Sequence, residues 1–155
     1  MNDCELCRGD GGRLIARTDR LRVVLVDEPD YPGFVRVIWG SHVRELTDLP
    51  SPQRALLMDI VFGVEIVMRE VMQPHKVNVA SLGNVTPHLH WHVIPRFADD
   101  AHFPNPIWGV RQRETDPRAL AQRKSHVERL CERLAGTVIT NTRRASAAQT
   151  PSASH

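Results

Sequence analysis

No apolar stretch in the chain approaches the ~20 residues that a bilayer-spanning helix requires. Its most apolar segment, from Ile60 to Met72, is interrupted by Gly63, Glu65, Arg69 and Glu70, so no membrane partner is expected. The start, Met1-Asn2-Asp3-Cys4-Glu5, carries acids where a secretory leader carries a basic region, and no apolar core follows it, so a cytoplasmic location is expected. Net charge is nearly absent: Lys+Arg 20 against Asp+Glu 18 leaves +2, and Lys76 and Lys124 are the only lysines. That balance excludes a protein that coats nucleic acid by neutralising phosphates. There is no Gly-x-x-x-x-Gly-Lys-Ser/Thr loop, which excludes phosphate handling of the ATPase kind. Cysteine is scarce, with 3 in the chain, and an odd number cannot all pair internally. Cys4 and Cys7 have the spacing of metal or redox ligands rather than of a disulfide framework.

What the chain does have is 155 residues, the size of one domain, and 8 histidines. Leu14 to Ala16 and Leu21 to Val26 read as short strands joined by a Thr18-Asp19 turn. Phe34 to Trp39 resumes as a third strand after the Pro29-Asp30-Tyr31-Pro32-Gly33 turn. Ser51-Pro52 has the cap-then-proline signature of a helix start. From there Leu57, Ile60, Val61, Val64, Val67, Met68 and Val71 recur at helical spacing until Pro74. Lys76 to Leu82 and His88 to Ile94 read as two more strands, joined by a turn around Gly83-Asn84. Asp116-Pro117 repeats the cap signature, and Leu120, Val127, Leu130 and Leu134 carry a second helix expected to end at Gly136. The expected fold is α+β: a mostly antiparallel five-stranded sheet with one long helix between strands and a C-terminal helix. One domain is expected over residues 1–136, with a polar, flexible tail over 137–155.

Residues 87 to 96 read Pro87-His88-Leu89-His90-Trp91-His92-Val93-Ile94-Pro95-Arg96. Alternate side chains of a strand share a face, so His88, His90 and His92 are expected to project together about 6.6 Å apart, with Leu89, Trp91 and Val93 facing a core. Two chemistries are open at this point. A three-histidine catalytic metal site is one, although that spacing exceeds twice a ~2.0–2.1 Å Zn–N bond. The other is covalent catalysis, in which a neutral imidazole attacks phosphorus while its neighbours hold phosphate oxygens.

His88-Leu89-His90-Trp91-His92-Val93-Ile94 resembles the defining motif of the histidine triad nucleotide-binding superfamily, with every apolar position filled. The acidic and Pro-Gly turn of residues 27–33, and His42 with Leu46-Thr47-Asp48-Leu49, extend the resemblance over roughly residues 4–97. It implies that His90 attacks the α-phosphorus of a small-molecule nucleotide and carries the nucleotidyl group, that His92 holds and polarises the phosphate, and that His88 completes the catalytic triad. It also implies nucleotide contacts from Asn84 and, to the ribose hydroxyls, from Asp27. A homodimer is implied as well. In bacterial members such a Cys-x-x-Cys pair, a histidine after the third strand and the first triad histidine hold structural zinc, which implies Cys4, Cys7, His42 and His88 as ligands and no organic cofactor. The sequence departs from the family where Phe34 replaces a common histidine and Trp39-Gly40 replaces Pro-Lys.

The expected function is a hydrolase or nucleotidyl transferase acting on a nucleoside phosphoramidate, adenylated conjugate or dinucleoside polyphosphate. A nucleotide-binding regulatory module with little turnover is the alternative. Cys131 is expected to be a small core residue of the second helix, His155 to lie in the tail, and His102 to be a candidate to approach the site from the following loop. Trp108, in a proline-stiffened segment, is expected to serve as packing, with a cover over the pocket or a subunit contact as alternatives.

Overall fold

The computed structural model describes residues 3–148. Five strands, β1 (Arg13–Arg17), β2 (Leu21–Leu25), β3 (Val35–Trp39), β4 (Lys76–Ala80) and β5 (His90–Arg96), form one sheet in the order β1-β2-β3-β5-β4. Every neighbouring pair is antiparallel. A short helix α1 (Glu5–Arg8) precedes the sheet, α2 (Ser51–Met72) joins β3 to β4, and α3 (Pro117–Ser125) and α4 (Val127–Ala148) follow.

The pleat divides each strand between two environments. Val23, Val35, Val37, Trp39 and Val93 turn to one face and pack with Leu57, Ile60, Val64 and Met68 of α2 and with Leu130, Leu134 and Val138 of α4. On the opposite face Val24 and Ile38 pack with Leu6 of α1. The helical face is a continuous core, whereas the other is covered only by α1 and by loops. That second face is open to a ligand.

Ser51 begins α2 rather than capping it, with Pro50 in the cap position and Pro52 in the first turn, where a missing N–H removes no helical bond. The helix stops at Gln73, whose left-handed φ of 48° sends its N–H back to the Arg69 carbonyl, and Pro74 cannot continue it. Gly63 lets α4 approach closely: a Cβ there would stand 2.9 Å from the Asn141 amide nitrogen.

The expected second helix is corrected in two respects. Asp116 caps it as foreseen, its carboxylate accepting the Arg118 N–H at 2.9 Å. A break at His126 then divides it into α3 and α4, and the Ser125 hydroxyl bonds back to the Gln122 carbonyl at that point. Gly136 does not end α4, which runs on to Ala148. The apolar period continues past the glycine through Val138, and Ala145 packs on the core. Packing thus outweighs the weak helix propensity of one glycine. His155 lies outside the described residues.

Candidate active site and metal centre

Strand register builds the site. On the face away from α2, Ile38 pairs with His90 and Arg36 with His92 across β3 and β5. His90 and His92 are 7% and 5% exposed. Their rings meet edge to face with centroids 4.8 Å apart. The Nδ1–H of His90 donates to the His88 carbonyl at 2.5 Å. That tautomer leaves Nε2 with its lone pair, the form a nucleophile needs. Burial lowers the His90 pKa; the His88 carbonyl opposes the shift, and Arg36 adds to it. For His92, burial, followed by the fields of His90 and Arg36, brings the pKa to about 3. Both rings are neutral near pH 7.

Ser81 holds the other side of this strand, its hydroxyl donating to the His90 carbonyl at 2.7 Å. His90 and His92 open into a cleft of about 400 Å³, lined also by Glu5, Arg36, Asn84 and Trp108. The indole of Trp108, itself 52% exposed, lies with its centroid 5.0 Å from the His92 ring, and Phe34 packs on the same imidazole at 5.7 Å. Trp108 therefore lines the cleft, packed on His92. His92 Nδ1 is buried without a hydrogen-bond partner, a polar atom unsatisfied beside the cleft.

The loop that carries Trp108 is tied to the end of β5. Arg96 donates to Asp100 from Nε at 2.7 Å and from Nη2 at 3.0 Å, and also to the Asn78 side chain and the Asn105 carbonyl. Asp100 further accepts the N–H groups of Phe97, His102 and Phe103. Burial opposes ionisation of Asp100, yet Arg96 and these amides prevail and hold its pKa at about 2. His102 belongs to this support, with Nδ1 2.6 Å from the Tyr31 hydroxyl, and does not line the cleft.

His88 departs from the expected row of three imidazoles on one face. It precedes the strand, and its ring is absent from the cleft lining. Its Nε2–H donates to the Trp39 carbonyl at 2.7 Å, which leaves Nδ1 free as a ligand atom. That nitrogen stands 3.5 Å from the sulfurs of both Cys4 and Cys7, and His42 Nδ1 stands 3.4 Å from Cys7 Sγ. All four ligand atoms lie within 4.8 Å of one another. Bonds of ~2.3 Å to sulfur and ~2.05 Å to nitrogen at a tetrahedral angle place S and N about 3.5 Å apart. The donor set therefore fits a tetrahedral ion of the zinc type. His88 meets the active site through its backbone carbonyl, while its ring faces the cysteines.

Asn84 lines the cleft from the loop before the triad, and Thr86 of that loop donates to Glu5 at 2.7 Å. Asp27 does not. It lines a second cleft, of about 590 Å³, with Arg13, Pro32, Gly33, Leu120 and Lys124. Val26 packs with Tyr31, Phe34 and Ile94 and also lines this second cleft. Asp27 is thus absent from the lining of the histidine cleft, where the sequence expects its ribose contact. Arg36 was recognisable only as a polar residue inside an apolar strand. Cys131 is partly exposed, 3.4 Å from an Arg13 nitrogen, and not a fully buried core thiol.

Comparison with known proteins agrees with this arrangement. The HIT domain family model matches residues 11–99. A curated "AP-4-A phosphorylase" of Mycobacterium tuberculosis is 35% identical over 106 residues, which cover 64% of this chain and 54% of that protein. The chain thus spans about half the length of the curated relatives it matches. A histidine triad protein from Bradyrhizobium japonicum superposes with a TM-score of 0.63 at 29% identity, covering 79% of this chain and 92% of that one. Another from Marinobacter aquaeolei gives 0.64 at 29% identity, covering 81% and 93%. With the triad motif on the strand that forms the cleft, and the family match over more than half its length, the chain belongs to the histidine triad family.

Proposed function

We propose that the protein is a nucleotide hydrolase or nucleotidyl transferase that works through a covalent nucleotidyl-His90 intermediate. The observation that carries this reading is the Nδ1–H bond of His90 to the His88 carbonyl, which presents a buried, unprotonated Nε2 at the wall of the cleft. In the reaction, the Nε2 lone pair forms a bond to the α-phosphorus, and the bond from that phosphorus to the leaving atom breaks with its electron pair. The proton on Nδ1 stays in place, and the His88 carbonyl stabilises the positive charge that the ring acquires. Water or another acceptor then attacks the same phosphorus, the phosphorus–Nε2 bond breaks with its electron pair returning to His90, and the acceptor's proton passes to solvent. His92 stands beside the reacting ring to hold the phosphate, and Asn84 lies in the loop over the leaving atom.

The curated relative is named for AP-4-A, which makes a dinucleoside polyphosphate the first substrate to try; nucleoside phosphoramidates and adenylated conjugates are the others. We assign zinc to Cys4, Cys7, His42 and His88 on the tetrahedral fit of their spacing. When bound, it supplies structural cross-linking of the amino-terminal segment to the triad. A cytoplasmic homodimer completes the reading, and the exposed Phe62 and Ile66 on α2 are apolar surface that a second subunit would cover.

The test is turnover of these three substrate classes combined with intact-mass analysis. The expected result is a burst of leaving group and a nucleotidyl adduct on wild-type protein. In His90→Ala, the adduct is lost and turnover falls by at least about a thousandfold, with thermal stability retained. Nucleotide binding without turnover of any class would favour the regulatory module, and undiminished turnover by His90→Ala would refute the mechanism.

A further inference from the structure

We propose that Arg36 binds the phosphate expelled by His90, so that the cleft selects substrates whose leaving group is itself a phosphate chain over those that release an amine. This rests on the reading of His90 as nucleophile.

Arg36 is the one charged residue of β3, set between Val35 and Val37, which are fully buried on the opposite face. Its register opposite His92 places it on the histidine face, and it lines the same cleft as His90, His92 and Asn84. The other two arginines buried in the sheet have their donors occupied. Arg22 donates to the carbonyls of Asp10, Leu6 and Gly9, and Arg96 to the Asp100 carboxylate, the Asn78 amide and the Asn105 carbonyl. Arg36, in contrast, makes one long hydrogen bond, from Nη1 to the Gly11 carbonyl at 3.4 Å, and its buried Nε has no hydrogen-bond partner; its guanidinium carbon lies 5.8 Å from the Phe34 ring centroid, a contact that uses the face of the group and none of its N–H donors. Among the described residues it joins no ion pair within 4.0 Å. Glu5, the nearest opposing charge on the cleft wall, accepts from Thr86 instead.

A half-buried guanidinium with unspent donors is costly unless something charged comes to it. Its planar fork matches phosphate oxygens, and it stays protonated in a site that depresses both imidazoles.

The balance of the attack defines what Arg36 does. His90 Nε2 bonds to the α-phosphorus, and the α-phosphorus to bridging-oxygen bond breaks. The electron pair leaves with that oxygen, which needs no proton because it belongs to a phosphate. The new negative charge is what a guanidinium stabilises. An amine leaving group takes up a proton before the phosphorus–nitrogen bond breaks and departs as a neutral molecule, so it brings Arg36 no negative charge to stabilise.

The experiment measures kcat/KM for diadenosine tetraphosphate and for an adenosine phosphoramidate of a simple amine in wild type, Arg36→Leu and Arg36→Lys. Competition by inorganic tripolyphosphate is measured alongside, with circular dichroism to establish folding. In Arg36→Leu, the expected result is a loss of about a hundredfold or more on the tetraphosphate, a change within about threefold on the phosphoramidate, and loss of tripolyphosphate competition. Arg36→Lys, which keeps the charge without the fork, falls between. An equal loss on both substrates, or no loss on either, overturns the assignment while leaving His90 as nucleophile. Absence of turnover by wild type on both substrates overturns the reading on which the assignment rests. Should Arg36→Leu not fold, Arg36→Lys and the tripolyphosphate competition decide.

Discussion

The carbonyl oxygen of His88 accepts the Nδ1–H of His90 at 2.5 Å, while the His88 ring points its own Nδ1 at the sulfurs of Cys4 and Cys7, 3.5 Å from each. One residue thus joins the candidate metal centre to the candidate nucleophile, by its side chain on one side and its backbone on the other.

Cys7→Ser is expected to remove zinc from the purified protein, measured as metal per chain, and to lower thermal stability. Loss of a structural ion worth about 3 kcal/mol corresponds to a fall of about 6–12 °C for a domain of this size. The wild type after chelation should match the variant. Unchanged stability in metal-free protein would refute a structural ion here.

His92 predicts acid sensitivity of known sign. An unfolded chain protonates the imidazole near pH 6.5, whereas the folded one resists to about pH 3, because burial and the positive fields of His90 and Arg36 disfavour the cation. Between those values the unfolded state holds more protons. The contribution of His92 to stability is therefore complete above about pH 6.5 and is lost as pH falls toward 3. Urea unfolding of wild type and His92→Asn at about pH 7.5 and about pH 5 should show the wild type losing about 2 kcal/mol more than the variant. Equal losses would remove His92 as the titrating group.

Asp100→Asn should be among the most destabilising changes outside the cleft. It leaves the Arg96 guanidinium, whose side chain is 3% exposed, without its carboxylate. Breaking such a pair costs about 3–5 kcal/mol, readable in urea midpoints. The same change should raise KM, because the loop bearing Trp108 loses its anchor. A variant within about 1 kcal/mol of wild type would show that the remaining partners of Arg96 suffice.

Much of the fold was legible in the sequence because its signals are local. Short apolar runs bounded by turn residues marked the strands, proline and cap chemistry marked the starts of α2 and α3, and the alternating histidine motif marked the site strand. What could not be read depends on contacts between distant segments. Gly136 looks like a helix end until Val138 and Ala145 are seen to pack on the core. Asp27 looks like a ribose ligand, yet it lines the second cleft and not the one that holds His90. The support of Tyr31, Arg96, Asp100 and His102 joins residues as far as 71 positions apart, and no spacing rule announces it. Arg36 was visible as an anomaly in an apolar strand, but its unspent donors only become meaningful once Arg22 and Arg96 are seen to be satisfied.

The pleat of β3 and β5 also has a consequence for how this protein can be altered. Positions facing the helices alternate with positions on the other face, where Arg36, His90 and His92 line the cleft while Ile38 and Ile94 are buried in small apolar clusters of their own. Substitutions at Arg36 or at the loop around Trp108 can retune the ligand without repacking Val35, Val37 or Val93. A library confined to the cleft-facing positions should therefore yield mostly folded variants, which makes this half of the sheet the natural place to engineer new leaving-group preferences.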